Sequence, residues 1–347
     1  MAVKFTKPEI NVREKLAELD KPSGIAGEAM LRAETPQEQF NLIGAGRRNL
    51  IINGDFKVSQ RGTYTSTTTL TNTATYYLDR WKFYTFTNTS GTFQHKLDQT
   101  LPDDTVTNTH LHTSTSSDMN APLVQLVEDH KAVWGKHFTV SFWYKSNKET
   151  YYNIWNGTSQ IHFLVPSSGG AWKKWEQTYK LKENGAYFRL EFYSHTINMT
   201  SGSYLELAQV QIELGKVATP FEHRSYGEEL ALCQRYYQRI DGAGYSWITE
   251  VQRHNSTGFR SVLHLPVPLR VVPSISYSNL AYWYNNGSLS AGTQSLGVGY
   301  TATGRTDISH LNLEYIPTSM GLTTNGNLSA MLSFTSAGGY LAFSSEL

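Results

Sequence analysis

The stretch from Gln211 to Arg239 is where the pattern of apolar residues changes. The segment LELAQVQIEL, which ends inside this stretch, alternates apolar and polar residues with the period of a half-buried strand. The apolar residues that then recur at helical spacing are Leu230, Cys233, Tyr236, Tyr237 and Ile240. Pro220 cannot donate to a strand ladder, and it favours an extended conformation at Thr219. The sequence therefore predicts that one β domain ends here and a short helical hinge leads into the next.

Alternating segments fill the chain on both sides of this point. Residues 48–225 contain eight or more candidate strands, separated by Gly, Asn, Pro and Ser clusters and without helical crossovers. This pattern predicts an antiparallel β-sandwich. Residues 242–347 contain a second set of short strands, no lysine and few other charged residues. They predict a smaller β domain whose exposed apolar residues favour association with further copies of the chain.

The N-terminal residues 1–47 have a different character. One short amphipathic helix is predicted to end at Pro22, and a second to begin at Thr35, with Glu38 at the capping-box position. The segment has too few apolar residues to fold alone. Two interpretations stay open: a terminal tail, or an arm that gains its order from a neighbouring protein.

Charge and composition narrow the classes of function. Lys and Arg number 30 and Asp and Glu 29, so no net field attracts nucleic acid or an anionic membrane. The single cysteine, Cys233, excludes an intrachain disulfide. No apolar run approaches the roughly 18 residues that span a bilayer, and the N-terminus lacks a hydrophobic signal region. We expect a protein that is made in a cytoplasm and does not insert into a membrane.

No arrangement of residues predicts catalysis or a metal site. Five acidic residues are candidates for the paired carboxylates of glycoside hydrolysis, although all lie in predicted turns or strand ends: Asp103, Asp104, Asp118, Glu128 and Asp129. Motifs for hydrolases, nucleotide binding and zinc peptidases are absent. His110 and His112 are interpreted as polar loop residues because no further zinc ligand lies at suitable spacing. We expect no catalytic residue, metal or cofactor.

Two aromatic clusters suit carbohydrate binding, which needs flat rings at the surface with hydrogen-bonding groups beside them. The candidates of the first cluster are Tyr151, Tyr152, Trp155, Asn156, Gln160 and His162. The candidates of the second cluster are Trp283, Tyr284, Asn285 and Asn286. For Trp155 and Trp283 a core position and a ligand contact are both open, whereas core positions are predicted for Trp81, Trp143 and Trp175.

Four phrases resemble one group of proteins. They are RNLIINGDFKVSQRG, YYLDRW, GKHFTVSFWYKS, and VQIELGKVATPFEHR followed by EELALCQRYYQR. In this order they are similar to bacteriophage tail-fibre and tail-associated proteins, in which a jelly roll like a carbohydrate-binding module precedes a distal β domain. Many such modules hold a calcium ion, for which Asp55 is a possible ligand. Ala208 stands where ion-binding relatives tend to have aspartate, so this chain departs from that pattern.

The sequence and the resemblance together predict a mainly β protein with four parts. These are an N-terminal anchoring arm (1–47), a jelly-roll β-sandwich (48–225), a helical hinge (226–241) and a smaller distal β-sandwich (242–347). The arm is predicted to be partly helical.

The predicted function is that of a structural virion protein without enzymatic activity, a phage tail fibre that adheres to the host surface. The resemblance implies attachment to other tail proteins through the arm, a homotrimer, and a host glycan or receptor as partner. A purely architectural tail component and a glycan depolymerase remain alternatives.

Overall fold

The computed structural model describes residues 48–71, 74–84, 91–116, 121–128, 130–180, 185–192, 200–243, 246–253, 259–284, 289–290, 294–298, 308–317, 329–334 and 337–346. The predicted N-terminal arm lies outside the described residues. None of the described helices is long and apolar enough to cross a membrane.

In the described ranges, twelve strands form the first β-sandwich. In chain order they are β1 (Thr68–Thr69), β2 (Thr75–Leu78), β3 (Trp81–Phe83), β4 (Gly91–Thr100), β5 (Val106–Ser114), β6 (Leu123–Val127), β7 (His137–Ser146), β8 (Thr150–Trp155), β9 (Gln160–Val165), β10 (Lys173–Lys180), β11 (Phe188–Phe192) and β12 (Tyr204–Leu214). The first sheet has the order β1-β4-β5-β12-β7-β10, and the second sheet has the order β2-β3-β6-β11-β8-β9. The strand pairs within each are antiparallel, as predicted for a jelly roll.

Alternate side chains of both sheets meet in one apolar core. Trp81, Phe142, Tyr152 and Phe192 belong to it, and each is at most 2% exposed. The residues between them in the sequence therefore point away from the core. Trp175 packs against the core from a half-buried position, whereas Trp143 lies on the outer side of β7, so the core prediction is wrong for Trp143.

His110 and His112 are also in this core rather than in a polar loop. Both lie on β5, at most 2% exposed, against the rings of Phe83 and Phe93. The loop interpretation was wrong because the Thr-rich flanks look polar, while threonine is also a good strand residue. Burial among rings lowers the pKa of His110 to about 3.

One α-helix, α1 (Tyr226–Gln234), follows β12, and a single 3-10 turn, His130–Ala132, precedes β7 in the described chain. Ser225 caps α1 in a capping box with Glu228. The helical hinge was predicted to extend to residue 241, but α1 ends at Gln234 and β13 (Tyr237–Ala243) begins at Tyr237. Tyr236 turns into an apolar cluster with Ile52 and Cys233, and the next residues form ladder hydrogen bonds instead of helical ones.

The remaining strands form two further antiparallel sheets. They are β13, β14 (Trp247–Arg253), β15 (Phe259–Leu269), β16 (Ser274–Ser278), β17 (Leu280–Tyr284), β18 (Leu289–Ser290), β19 (Gln294–Val298), β20 (Ile308–Pro317), β21 (Ser329–Phe334) and β22 (Ala337–Ser344). The orders are β13-β22-β16 and β18-β17-β21-β14-β15-β20-β19. Leu263 and Phe334 of the larger sheet share a core with Leu341 and Phe343 of the smaller one. The predicted fold class is confirmed, while the exact domain boundaries stay a prediction.

Candidate functional site

Two rows of side chains cross the second sheet on the side facing away from the core. Ladder partners place one row across all six strands: Tyr76, Lys82, Val124, Glu191, Asn153 and His162. The adjacent row consists of Leu126, Arg189, Trp155 and Gln160. We call these ten residues the outer face. Because neighbouring strands lie about 4.8 Å apart, the six-strand row extends over roughly 24 Å.

Glu191 is the centre of a hydrogen-bond network on the outer face, and it is only 3% exposed. Its carboxylate accepts from Arg189 Nε at 2.5 Å, Gln160 Nε2 at 3.0 Å and Asn153 Nδ2 at 3.3 Å. Asn153 Oδ1 lies 2.9 Å from His162 Nδ1, which extends the network to the edge strand. A buried carboxylate with several donors fixes the side chains that hold it. Glu191 therefore positions Arg189, Gln160 and His162.

Half-buried aromatic rings surround this network. Trp155 Nε1 donates a hydrogen bond to the hydroxyl of Tyr187, which fixes the indole beside the network. The Arg189 guanidinium lies 4.8 Å from the centre of the Tyr84 ring and 5.8 Å from that of Tyr187. Tyr151 meets His162 edge to face at 6.4 Å. The outer face thus combines held aromatic rings with oriented polar groups.

Lys82 lies beside Tyr76, which ends the row on the side opposite His162. Its Nζ is 5.3 Å from the centre of the Tyr76 ring and 5.5 Å from that of Tyr84, both within cation–π range. Partial burial lowers the pKa of Lys82; nearby Glu346 opposes this, and Arg189 adds to it. This part of the site is positive and partly desolvated.

The structure separates the residues of the first predicted cluster. Tyr151, Trp155, Gln160 and His162 lie on or beside the outer face. Tyr152 is fully buried, and its hydroxyl lies 2.6 Å from that of Tyr179, so it offers no ring to a ligand. The ligand-contact prediction is wrong for Tyr152 because strand alternation turns it into the core.

Asn156 is also misassigned as a ligand contact. It is 7% exposed, and its Oδ1 accepts from the backbone N–H groups of Thr158 and Ser159 at 2.9 and 2.7 Å. These bonds stabilise the turn between β8 and β9. The side chain therefore has a structural role in this turn.

The second predicted cluster is not brought to the outer face. Trp283 and Tyr284 belong to β17 in the distal sheet, where the backbone of Trp283 pairs with Met331. Asn285 and Asn286 lie outside the described residues. The glycan-contact prediction for this cluster stays a prediction.

Five contributors to the site were not singled out by sequence: Lys82, Tyr84, Tyr187, Arg189 and Glu191. The signal lay in the segment AYFRLEF, where Tyr187, Arg189 and Glu191 alternate with apolar residues. That spacing places all three on one side of a strand. The contact between Tyr84 and Arg189 joins segments far apart in sequence, so local spacing does not reveal it.

A concave region elsewhere on the described chain carries less ligand-binding chemistry than the outer face. A cleft of about 980 Å³ lies beside α1, between Phe221 and Pro268. Its arginines are engaged, because Arg224 pairs with Glu229 at 3.2 Å and Arg235 with Glu128 at 2.8 Å. Within the described ranges, no group of three or more His, Cys, Asp or Glu could hold a metal ion.

The acids considered for hydrolysis are dispersed. Asp103 Oδ1 accepts from the hydroxyl of Thr105 at 2.6 Å in the turn after β4. Glu128 binds Arg235 and Tyr236 near the end of α1. Asp118 and Asp129 lie outside the described residues. The expectation that the chain has no enzymatic activity stays a prediction.

No family model and no curated protein matches the chain. Among solved structures, the enzymatically active domain of tailspike protein 4 of bacteriophage CBA120 matches with 14% identity and a TM-score of 0.36, covering 48% of this chain and 21% of that one. This chain thus spans about a fifth of the tailspike structure. Resemblances of this degree assign neither ligand nor activity.

Two further structures match over similar lengths. A putative sugar binding protein of Bacteroides thetaiotaomicron has 12% identity and a TM-score of 0.34, covering 48% of this chain and 100% of that one. The CBM22-1 xylan-binding domain of Paenibacillus barcinonensis has 11% identity and a TM-score of 0.32, with coverages of 50% and 100%.

Proposed function

We propose that the chain is a phage tail fibre whose jelly roll binds glycan of the host surface through the outer face, without cleaving it. The observation that carries this proposal is that the aromatic side chains of Trp155, Tyr187 and Tyr84 lie beside the hydrogen-bond network of Glu191. Sugar C–H faces stack on such rings, while oriented amide and guanidinium groups bind the hydroxyls.

The rigidity of the outer face favours binding. Trp155 is held by Tyr187, and Arg189 by Glu191, so few rotamers are lost when a ligand binds. Preorganisation of this kind lowers the entropic cost of association. The face is also long enough for several sugar units in a row, since it crosses six strands.

Attachment and assembly belong to the same proposal. Residues 1–47 would bind other tail proteins, and three copies would add their weak glycan contacts through effective concentration. Exposed Trp247, Val262 and Val272 on the distal part support self-association, because their apolar surface would be covered. Light scattering of the full chain tests the trimer, and a monomer at micromolar concentration would contradict it.

The glycan proposal is tested by screening the full chain on a glycan array and then titrating the best oligosaccharide. We expect Trp155→Ala to weaken binding roughly tenfold, as for an aromatic residue at the centre of a contact. Trp143→Ala is the matched control, because Trp143 is a half-buried tryptophan on the outer side of the other sheet. Thermal melts establish that both variants are folded.

The outcomes separate the alternatives. Equal affinity of the wild type and Trp155→Ala, with Trp143→Ala unchanged, would exclude the outer face. Failure to retain any glycan would favour an architectural tail component, and release of reducing ends from the oligosaccharide would favour a depolymerase.

A further inference from the structure

The charges of the outer face do not balance. It carries two cations, Lys82 and Arg189, and one carboxylate, Glu191. Arg189 and Glu191 neutralise each other through a 2.5 Å hydrogen bond from Nε. Lys82 is therefore the excess charge, and among the residues that the structure describes no ion pair joins it to a carboxylate.

Two tyrosine rings, rather than an acid, surround the Lys82 ammonium. Tyr76 and Tyr84 lie within 5.5 Å of it and partly exclude water. The carboxylate whose charge acts on Lys82, Glu346, is already bound by Arg61 at 2.8 Å and by Arg80. A partly dehydrated cation without a counter-ion attracts an anion more strongly than a fully hydrated lysine does. The lowered pKa of Lys82 has the same physical origin.

The position of Lys82 relates this charge to the proposed ligand. Tyr84 contacts both Lys82 and Arg189, and Lys82 shares its ladder row with Glu191 and Asn153. Because Lys82 lies two strands from Glu191, roughly 10 Å separate their backbones, about the length of two sugar units. A sugar seated on Tyr84 would present its substituents to Lys82.

We propose that the outer face selects an acidic saccharide, and that Lys82 determines this specificity by binding the carboxylate of a uronic acid or related sugar. This inference rests on the proposed glycan binding, and it adds the chemical class of the ligand. Arg189 orients the neighbouring unit, while Lys82 supplies the contact that a neutral sugar cannot use.

The test compares two probes with the same carbohydrate backbone: tetragalacturonate and its fully methyl-esterified form. Calorimetry with the full chain should show about tenfold tighter binding of the acid, as for a hydrogen bond to a charged group. Lys82→Met should abolish this preference without changing affinity for the ester, and Lys82→Arg should retain it. The preference should also decrease with added sodium chloride.

Two control variants make the outcome specific. Lys173→Met removes an exposed lysine on β10 in the other sheet and should leave the preference intact. Trp155→Ala should reduce the affinity for both probes by the same factor. If wild type binds both forms equally and Trp155→Ala weakens both, glycan binding stands and the acidic specificity is wrong.

Other results would also overturn the inference. If the folded Lys82→Met variant still prefers the acid over the ester, a cation other than Lys82 causes the preference. Tighter binding of mannose 6-phosphate than of tetragalacturonate would contradict a carboxylate ligand. If the chain binds neither galacturonate form, the uronate inference is wrong. Glycan binding as such is tested separately by the glycan array.

Discussion

Two places in this protein are built from the same residue types, yet only one of them is open. At the outer face, Glu191 binds Arg189, whose guanidinium lies over Tyr84. Between the jelly roll and the distal sheets, Glu346 binds Arg61 and Arg80. We call Arg61, Arg80, Tyr236, Tyr237 and Glu346 the junction. The guanidinium carbon of Arg61 lies 3.6 Å from the ring centre of Tyr237, and that of Arg80 lies 3.6 Å from the ring centre of Tyr236.

The difference lies in what covers the rings and balances the charges. At the junction the Arg80 side chain is 1% exposed and that of Glu346 is 6% exposed, so the two charged groups are covered and paired with each other. At the outer face the rings are half-buried and Lys82 has excess charge. Arginine, tyrosine and glutamate therefore stabilise contact between parts of the fold where all are covered. They form a candidate binding site where the rings remain accessible.

The largest expected effect comes from breaking the junction with Arg80→Met. Arg80→Met leaves the buried Glu346 carboxylate with the Arg61 ion pair only, and loss of one partner of a buried ion pair costs up to about 3–5 kcal/mol of unfolding free energy. Urea denaturation followed by circular dichroism measures the loss. Lys174→Met is the control, because the side chains of Lys174 and its partner Glu176 are 38% and 46% exposed and such pairs contribute about 1 kcal/mol or less. Equal losses in both variants would show that the junction is not a stabilising contact.

The next effect concerns His110, which is 1% exposed and lies among the rings of Phe56, Phe83 and Phe93. Its pKa of about 3 is below the ordinary value near 6.5, so the unfolded chain binds more protons between these values. The contribution of neutral His110 to the free energy of unfolding is complete above pH 6.5 and decreases as the pH falls towards 3. Between pH 6.5 and 5 the decrease is about 2 kcal/mol.

The variant His110→Leu tests this dependence. Its unfolding free energy should fall less steeply than that of the wild type between pH 6.5 and 5. Asp79, whose buried carboxyl has a pKa raised to about 6, acts in the opposite direction, so the variant must be compared with wild type at each pH. Identical slopes for wild type and His110→Leu would refute the prediction.

The predictions for the junction and for His110 also show which parts of the fold can be predicted from the sequence. Alternation and turn residues predict both sandwiches, because a strand's faces follow from its own residues. The same alternation makes His110 and His112 interpretable as core-facing, but the threonines around them suggest a loop. The junction is not predictable from local patterns, since Arg80 and Glu346 are brought together only by tertiary structure.

The candidate site shows the same limit. Trp155 and His162 lie in one hairpin, so their proximity follows from a short stretch of sequence. Tyr84 directly follows β3 and Arg189 lies on β11, and β6 separates these two strands in the second sheet, so only tertiary structure brings the two side chains together. Tyr152 was misassigned because an aromatic residue in a strand gives no sign of which face it occupies until the pairing register is known.

Glu191→Gln sharpens the contrast between the outer face and the junction. Loss of charge-assisted hydrogen bonds should reduce the unfolding free energy by about 1–2 kcal/mol, less than Arg80→Met does. Glycan affinity should fall as well, because Arg189 and Gln160 lose their common acceptor. Arg80→Met, measured where it is folded, should keep wild-type affinity. Loss of affinity in both variants would contradict the separation of the two places.

The smallest effect is expected for Tyr187→Phe, which removes the acceptor of the Trp155 N–H group but keeps the ring. The change should reduce glycan affinity by a factor corresponding to about 0.5–1.5 kcal/mol, because the indole is no longer held in one orientation. A double-mutant cycle with Trp155→Phe isolates this bond. Since phenylalanine has no N–H group, Tyr187→Phe should have no additional effect in that background. An undiminished effect there would show that Tyr187 contacts the ligand through its own hydroxyl instead of acting through Trp155.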